Sequence, residues 1–410
     1  MPLDHATAGG EQITVFAREI IRDGGEQRPR LLWLQGGPGH RASRPDSIGG
    51  WLDAALNDHR VILLDQRGTG LSTPADRATV LARGDHATQA AYLRSFRADA
   101  IVADAEALRC ALEVPPWAVL GQSYGGFVVT TYLSQAPQGL SRAMITAGLP
   151  SLTAHPDEVY RLTYAQTARR NVEYFERYAA DEATARTVAA HLDDQEEFLP
   201  TGERLTSRRF RTLGMGLGGA MAFDGLHYLL EEPFVTVGGT RRLSERVLAD
   251  LGAALSFASH PMYAVLHEAI YAGPSTGGPT AWSAHRVRDE FPEFAVDAGP
   301  DAPFRFTGEH IYPWQFEEDP ALTPLAGAAQ LLADETDFPS LYDAEALAHN
   351  EVPTAAAVYY DDMFVPREFS LETAAAIRGA RVFLTNEYQH DGLRADGKRL
   401  YDELMARIRR

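Results

Sequence analysis

Three residues far apart in the chain could together carry out acyl transfer: Ser123, an aspartate at 361 or 362, and His390. Ser123 lies in Gly121-Gln122-Ser123-Tyr124-Gly125, with the apolar run Ala118-Val119-Leu120 before it and Phe127 to Leu133 after it. The first run reads as a buried strand and the second as a helix. A serine on a sharp strand-to-helix turn presents Oγ to solvent, and the N–H that follows it, here that of Tyr124, points at a developing oxyanion. Glycine is needed beside it because a Cβ would meet the neighbouring backbone. A hydroxyl is a poor nucleophile until a base takes its proton, and the same base must later protonate the leaving group. His390 has the chemistry for both steps, and an aspartate would fix its tautomer and stabilise the imidazolium. All three follow predicted strands, at the carboxyl ends where ligands sit in open α/β sheets.

The chain contains rivals to each. Gly273-Pro274-Ser275-Thr276-Gly277 repeats the G-x-S-x-G spacing. It follows a helix-like run and leads into Gly278-Pro279, which predicts a loop. Asp65 ends a buried run, Val61 to Leu64, but precedes the serine. That order does not suit a Ser-acid-His chain, and Asp65 is expected to hold Arg67 and the loop after it. His260, His267, His285, His310 and His349 fall in a helical region and read as packing or surface residues. His267-Glu268 has no second histidine four residues on, and no Cys/His cluster or phosphate-binding glycine motif follows a strand. Neither a metal nor a cofactor is expected.

The elements that must position these residues form an alternating series. Strands are predicted at 13–21, 31–34, 61–65, 118–120, 143–146, 355–360 and 382–385, with helices at 95–113, 127–133, 370–377 and 398–409. Strands alternating with helices predict an α/β fold with a mostly parallel, doubly wound sheet. With a strand-turn-helix serine, this is the α/β-hydrolase arrangement. Leu34 leads into Gln35-Gly36-Gly37-Pro38-Gly39, where Gly36 or Gly37 is placed to donate a second oxyanion N–H. From about 152 to 350 the pattern becomes helical and rich in aromatics, with helices predicted at 160–178, 183–192, 220–230, 243–255 and 262–272. The expected organisation is a first core segment (1–151), an inserted helical cap (152–350) and a second core segment (351–410).

Composition narrows the partners. The chain has 410 residues, a net charge of −18 and one cysteine, Cys110. An acidic chain is a poor match for nucleic acid or an anionic membrane surface. No apolar run approaches the ~18 residues needed to span a bilayer. Cys110 lies in an apolar helical pattern and is expected to pack in the interior. A single cysteine excludes an intrachain disulfide and fits a reducing compartment. The basic-then-apolar pattern of a secretory leader is absent from Met1-Pro2-Leu3-Asp4-His5, so a cytoplasmic protein is expected.

The segments LQGGPG (Leu34–Gly39), LLDQRGTGLST (Leu63–Thr73), LGQSYGG (Leu120–Gly126), YYDDMFVP (Tyr359–Pro366) and NEYQHDGLR (Asn386–Arg394) resemble the prolyl aminopeptidases, also called proline iminopeptidases. The resemblance covers nearly the whole chain. It implies an α/β-hydrolase serine peptidase that releases an N-terminal residue, preferably proline, from peptides with a free N-terminus. It also implies that Asp362, with Pro366 four residues later, is the acid. The family reads the substrate amine with cap glutamates. Glu268, in a Glu-x-x-Tyr pattern with Tyr271, and Glu309, among Tyr312 and Trp314, match best, and those aromatics could wall a proline-sized pocket. Two positions depart from the common pattern: Gln35 replaces histidine and Tyr124 replaces tryptophan. The alternative within the same chemistry is a small-molecule esterase or amidase whose cap does not read an amine.

Overall fold

Where the sequence alternates or runs apolar for five to seven residues, it forms strands of one sheet. The computed structural model describes all residues except 8, 220, 221, 275, 276, 297–301 and 410. The second G-x-S-x-G serine, Ser275, therefore lies outside the described residues. The strands are β1 (Phe16–Ile20), β2 (Arg30–Leu34), β3 (Arg60–Asp65), β4 (Trp117–Gln122) and β5 (Leu140–Thr146). After them come β6 (Glu197–Phe198), β7 (Arg204–Leu205), β8 (Phe234–Val237), β9 (Thr240–Leu243), β10 (Thr354–Tyr359) and β11 (Arg381–Thr385). Seven form the main sheet, in the order β1-β3-β2-β4-β5-β10-β11. β1 runs antiparallel to β3, and the remaining pairs are parallel.

Side chains alternate across the sheet with a period of two, so each strand feeds two cores. Leu32, Leu34, Val119, Ile145, Ala356 and Val358 face helices Ala98–Ala111 and Tyr124–Gln135. Leu31, Trp33, Leu120, Met144, Ala355 and Ala357 face helices Gly50–Asp58 and Gly397–Ile408. The register sets Gln122 beside Thr146 and Tyr359 beside Thr385. The carboxyl ends of β4, β10 and β11 thus share one rim of the sheet, and the loops carrying Ser123, Asp362 and His390 leave from it.

Between β5 and β10 the described residues are mostly helical. The longer helices are Pro156–Arg177, Ala179–Asp194, Ala222–Leu230 and Glu245–Leu255. The hairpins β6–β7 and β8–β9 interrupt them, and no strand was expected there. The run expected as one helix over 262–272 is an α-helix, Pro261–Leu266, followed by a 3₁₀ turn, Glu268–Ile270. Among the described residues no helix is long and apolar enough to cross a membrane.

One predicted helix is found and two local expectations are corrected. The helix predicted over 95–113 is present as Ala98–Ala111, preceded by a separate helix, His86–Arg94. Between them Arg97 turns inward, where its buried guanidinium donates to the carbonyls of Ala269 and Ala272 and lies 4.3 Å over the Phe338 ring. These contacts tie the core to the segment above it. Asp65 does not hold Arg67. It pairs with Arg44 and accepts from the N–H groups of Ala42 and Leu71, while Arg67 pairs with buried Asp104. Cys110 is exposed, on the outward side of the last turn of its helix.

Candidate active site

The elbow is built from close backbone approaches that exclude any Cβ. At Gly121 a Cβ would sit 2.2 Å from the Gly125 carbonyl oxygen, and at Gly125 it would sit 2.0 Å from that of Leu34. Ser123 itself has φ 85° and ψ −118°, a region that costs a non-glycine residue about 1–3 kcal/mol. Surrounding bonds hold it there. The Ser123 N–H donates to Thr146 O at 3.1 Å, and its carbonyl accepts from Gly126 N–H at 2.8 Å. The turn separates the strand from the helix and leaves Oγ directed away from both.

His390 reaches this hydroxyl. Ser123 Oγ and His390 Nε2 are 2.9 Å apart, and His390 Nδ1–H donates to Asp362 Oδ2 at 2.8 Å. Asp362 is buried, and its Oδ1 also accepts from the N–H groups of Phe364 at 2.8 Å and Val365 at 3.1 Å. These bonds orient the carboxylate before the histidine arrives. Asp361 is placed differently: it is half-buried, and its carbonyl accepts from Gln166 Nε2 at 3.0 Å. The His390 loop is anchored by its N–H donating to Gly218 O at 3.0 Å, and the ring meets Phe364 edge-on at 4.9 Å. The serine hydroxyl can therefore lose its proton to a neutral imidazole whose other nitrogen is held by a carboxylate.

The donors for an oxyanion lie alongside. Tyr124 is the first residue of helix Tyr124–Gln135, so its N–H has no acceptor within the helix. Its ring is buried against Phe127, leaving only the backbone at the site. A Cβ on Gly36 would come within 3.0 Å of Ser123 Cβ and 2.8 Å of Gln122 O, so this loop packs directly against the elbow. Gly37 has φ 142°, open to glycine alone, and Gln66 Nε2 fixes the loop by donating to Gln35 O at 2.9 Å. Among the described residues no group of three His, Cys, Asp or Glu side chains could hold a metal ion.

The two glutamates singled out from the sequence occupy different positions. Glu309 is half-buried within the helical segment, and Tyr263 Oη donates to its Oε1. Burial pushes the Glu309 carboxyl up to about 7, the neighbouring His390 and the Tyr263 bond oppose that rise, and Asp362 adds to it. Glu309 thus acts electrostatically on the same histidine that Ser123 and Asp362 hold. Glu268 is buried, and both its oxygens are engaged by the backbone, accepting from Ser283 N–H at 3.0 Å and Ala284 N–H at 2.9 Å. It caps the short helix Ser283–Val287, and burial raises its carboxyl to about 7.

Tyrosines lie near these carboxylates. Tyr160, Tyr263 and Tyr271 all feel the Glu309 charge, and Tyr160 feels Glu268 more strongly still. The Tyr160 hydroxyl is buried with no hydrogen-bond partner among the described residues. Tyr312 and Trp314, the expected pocket wall, are instead buried and stacked on each other at 5.3 Å, with Tyr312 bonded to Tyr164. Tyr160, Tyr263 and Phe364 were missed in the sequence. Tyr263 lies five residues before Glu268 and stands in no motif.

His390 titrates above an ordinary histidine. Burial pulls its pKa down, but the Asp362 charge and hydrogen bond, with Glu309 behind them, raise it overall. A base must be neutral to accept a proton, so activity should be lost as pH falls through this raised value. The acid limb of the kcat/KM profile is expected above pH ~6.5, the reference histidine value. Glu309→Gln removes one raising charge and should move that limb to lower pH. A limb that stays fixed in this variant would place the Glu309 charge out of contact with the base.

A family profile described as alpha/beta hydrolase fold matches residues 29–233, half of the chain. That range holds Ser123 and the glycine loop, and the sheet order and elbow are those the class requires. Over 409 residues the chain is 44% identical to a proline iminopeptidase from Aeromonas sobria, covering 99% of this chain and 94% of the relative. It is 32% identical over 416 residues to the proline iminopeptidase aneH of Aspergillus aculeatus, covering 99% and 91% respectively. The chain belongs to the α/β-hydrolases and, within them, to the proline iminopeptidase family.

Proposed function

We propose that the chain is a serine exopeptidase that releases an N-terminal residue, preferably proline, with Ser123 as nucleophile. Ser123 Oγ attacks the carbonyl carbon of the first residue while His390 Nε2 takes the hydroxyl proton. The oxyanion that forms is met by the N–H of Tyr124 and by that of Gly36 or Gly37. Collapse breaks the C–N bond, and His390 delivers its proton to the departing amine. The shortened peptide leaves with the proline carbonyl esterified to Ser123. Water then attacks this ester as His390 takes one of its protons, and returning that proton to Oγ frees proline and the enzyme. Asp362 stabilises the imidazolium in both halves without itself becoming protonated.

A triad of this kind does not distinguish a free amino terminus from a blocked one. Glu309 is the observation that supports an aminopeptidase: a second carboxylate beside the triad, held by Tyr263 and electrostatically coupled to His390. A half-buried carboxylate with no Lys or Arg paired to it among the described residues favours a ligand that carries a cation. The substrate ammonium supplies it, with Glu268 adding negative potential from behind Tyr160. In this reading segment 152–350 is a cap that closes the chamber over Ser123. A cytoplasmic location is the finer reading and rests on the single cysteine.

Glu309→Gln tests the assignment. Removing one partner of a buried charge pair costs roughly 3–5 kcal/mol, so kcat/KM for proline arylamide should fall by about two to three orders of magnitude. Hydrolysis of a small ester without an amine should scarcely change, since the triad and oxyanion donors are untouched. Glu268→Gln should cost less, because Glu268 acts at a distance. Equal loss on ester and arylamide would make Glu309 structural and favour the esterase or amidase reading.

A further inference from the structure

The proposed reaction accounts for the acyl half of the substrate and leaves one feature of the rim unused. A cavity of about 370 Å³ opens beside the triad, lined by Trp33, Gln35, Trp51, Gln122, His390 and Arg394. None of these residues belongs to the helical segment that carries Glu309. The cavity therefore lies on the core side of His390, and its volume is that of a small-ligand site. His390 gives its proton to the departing amine, so the leaving peptide must emerge next to this histidine.

The lining suits a peptide. Trp33 and Trp51 stack at 4.4 Å and present an aromatic wall. Trp33 Nε1–H donates to Gln35 Oε1 at 3.2 Å, which orients that amide and leaves its NH₂ without a protein partner among the described residues. The Gln122 side-chain amide also has no hydrogen bond among them. Arg394 is exposed at the same cavity, and its guanidinium has no ion pair or side-chain hydrogen bond among the described residues. The nearby Arg399, by contrast, is paired with Glu387, and Arg44 with Asp65. Asp391 also lines the cavity, so its negative charge partly offsets Arg394.

Reach decides which group Arg394 meets. It stands four residues beyond His390, on the short helix Gly392–Ala395, and both side chains line the same cavity. An extended peptide advances about 3.5 Å per residue. A carboxylate one or two residues past the scissile bond therefore comes within range of a planar, five-donor guanidinium suited to bidentate pairing.

We infer that this cavity is the leaving-group subsite and that Arg394 binds the C-terminal carboxylate of di- and tripeptide substrates, setting a preference for short peptides. This rests on the exopeptidase reading and adds the chemistry of the other end of the substrate. Arg394 is a specificity residue, outside the bond-breaking steps.

The test compares Pro-Phe-Gly with its C-terminal amide, and proline arylamide as a substrate with no carboxylate, in wild type and Arg394→Gln. Wild type should favour the free acid over the amide by about five- to tenfold in kcat/KM, mostly through KM, the size expected of an exposed bidentate pair. In Arg394→Gln the ratio should fall to about one. The arylamide reports an intact fold and triad in the variant, and Arg394→Lys should recover part of the ratio, since it keeps the charge and loses the fork. A wild-type ratio of one, or a ratio that survives in Arg394→Gln, overturns the subsite. Failure of wild type to cleave proline arylamide would instead overturn the exopeptidase reading beneath it.

Discussion

Ser123→Ala is expected to lower turnover of proline arylamide by roughly five to six orders of magnitude and to abolish covalent labelling by a serine-directed fluorophosphonate. The argument is geometric. Oγ of Ser123 is the hydroxyl at 2.9 Å from His390 Nε2. The base and its carboxylate have no purpose without it, so the loss should equal that of losing the whole relay. What survives is binding and the oxyanion donors, which leave a small residual rate. Labelling that persists in the variant, at Ser275 for example, would mean that a different serine is activated.

Asp362→Asn should cost about four orders of magnitude in turnover while leaving the fold intact. The asparagine oxygen can still accept from Phe364 and Val365 N–H, so the loop keeps its shape. Its NH₂ would face His390 Nδ1 as a donor. The imidazole must then carry its proton on Nε2, where it can no longer take the proton of Ser123. Asp361→Asn should remain near wild type, because its carbonyl, bound by Gln166, is unchanged. Circular dichroism and thermal unfolding report the fold, and arylamide turnover reports the relay. Loss in Asp361→Asn with none in Asp362→Asn would move the acid by one residue.

The elbow was legible in the sequence because its demands are local: a strand, a turn that only glycine flanks, and a helix, all within a few residues. The sheet was legible for the same reason, since five- to seven-residue apolar runs leave little else for the chain to do. Choosing between Asp361 and Asp362 required more than the run Tyr359 to Pro366. Adjacent residues after a strand leave in different directions, and the backbone N–H groups of Phe364 and Val365 select the second.

The rest depended on long-range partners. Arg97, just before the helix Ala98–Ala111, donates to a carbonyl 172 residues away, a partner that no local pattern names. Arg67 found Asp104 rather than Asp65, which composition and order could not foretell. Glu268 and Glu309 looked alike in sequence, each in an aromatic helical setting. Glu268 is taken by N–H groups 15 and 16 residues on, whereas Glu309 meets Tyr263 and the field of His390. The surroundings of the triad are therefore shaped by contacts that no local pattern encodes.

The central claim is that the chamber reads a free amino terminus, and the most direct measurement is kcat/KM of the wild type on proline arylamide against N-acetylproline arylamide. The two share the scissile bond and the ring, and differ in whether the nitrogen can carry a positive charge beside Glu309. The account predicts that acetylation lowers kcat/KM by about two to three orders of magnitude, close to the effect of Glu309→Gln on the free substrate. It also predicts that acetylation costs the Glu309→Gln variant little more. Equal cleavage of free and acetylated substrates by the wild type would contradict it.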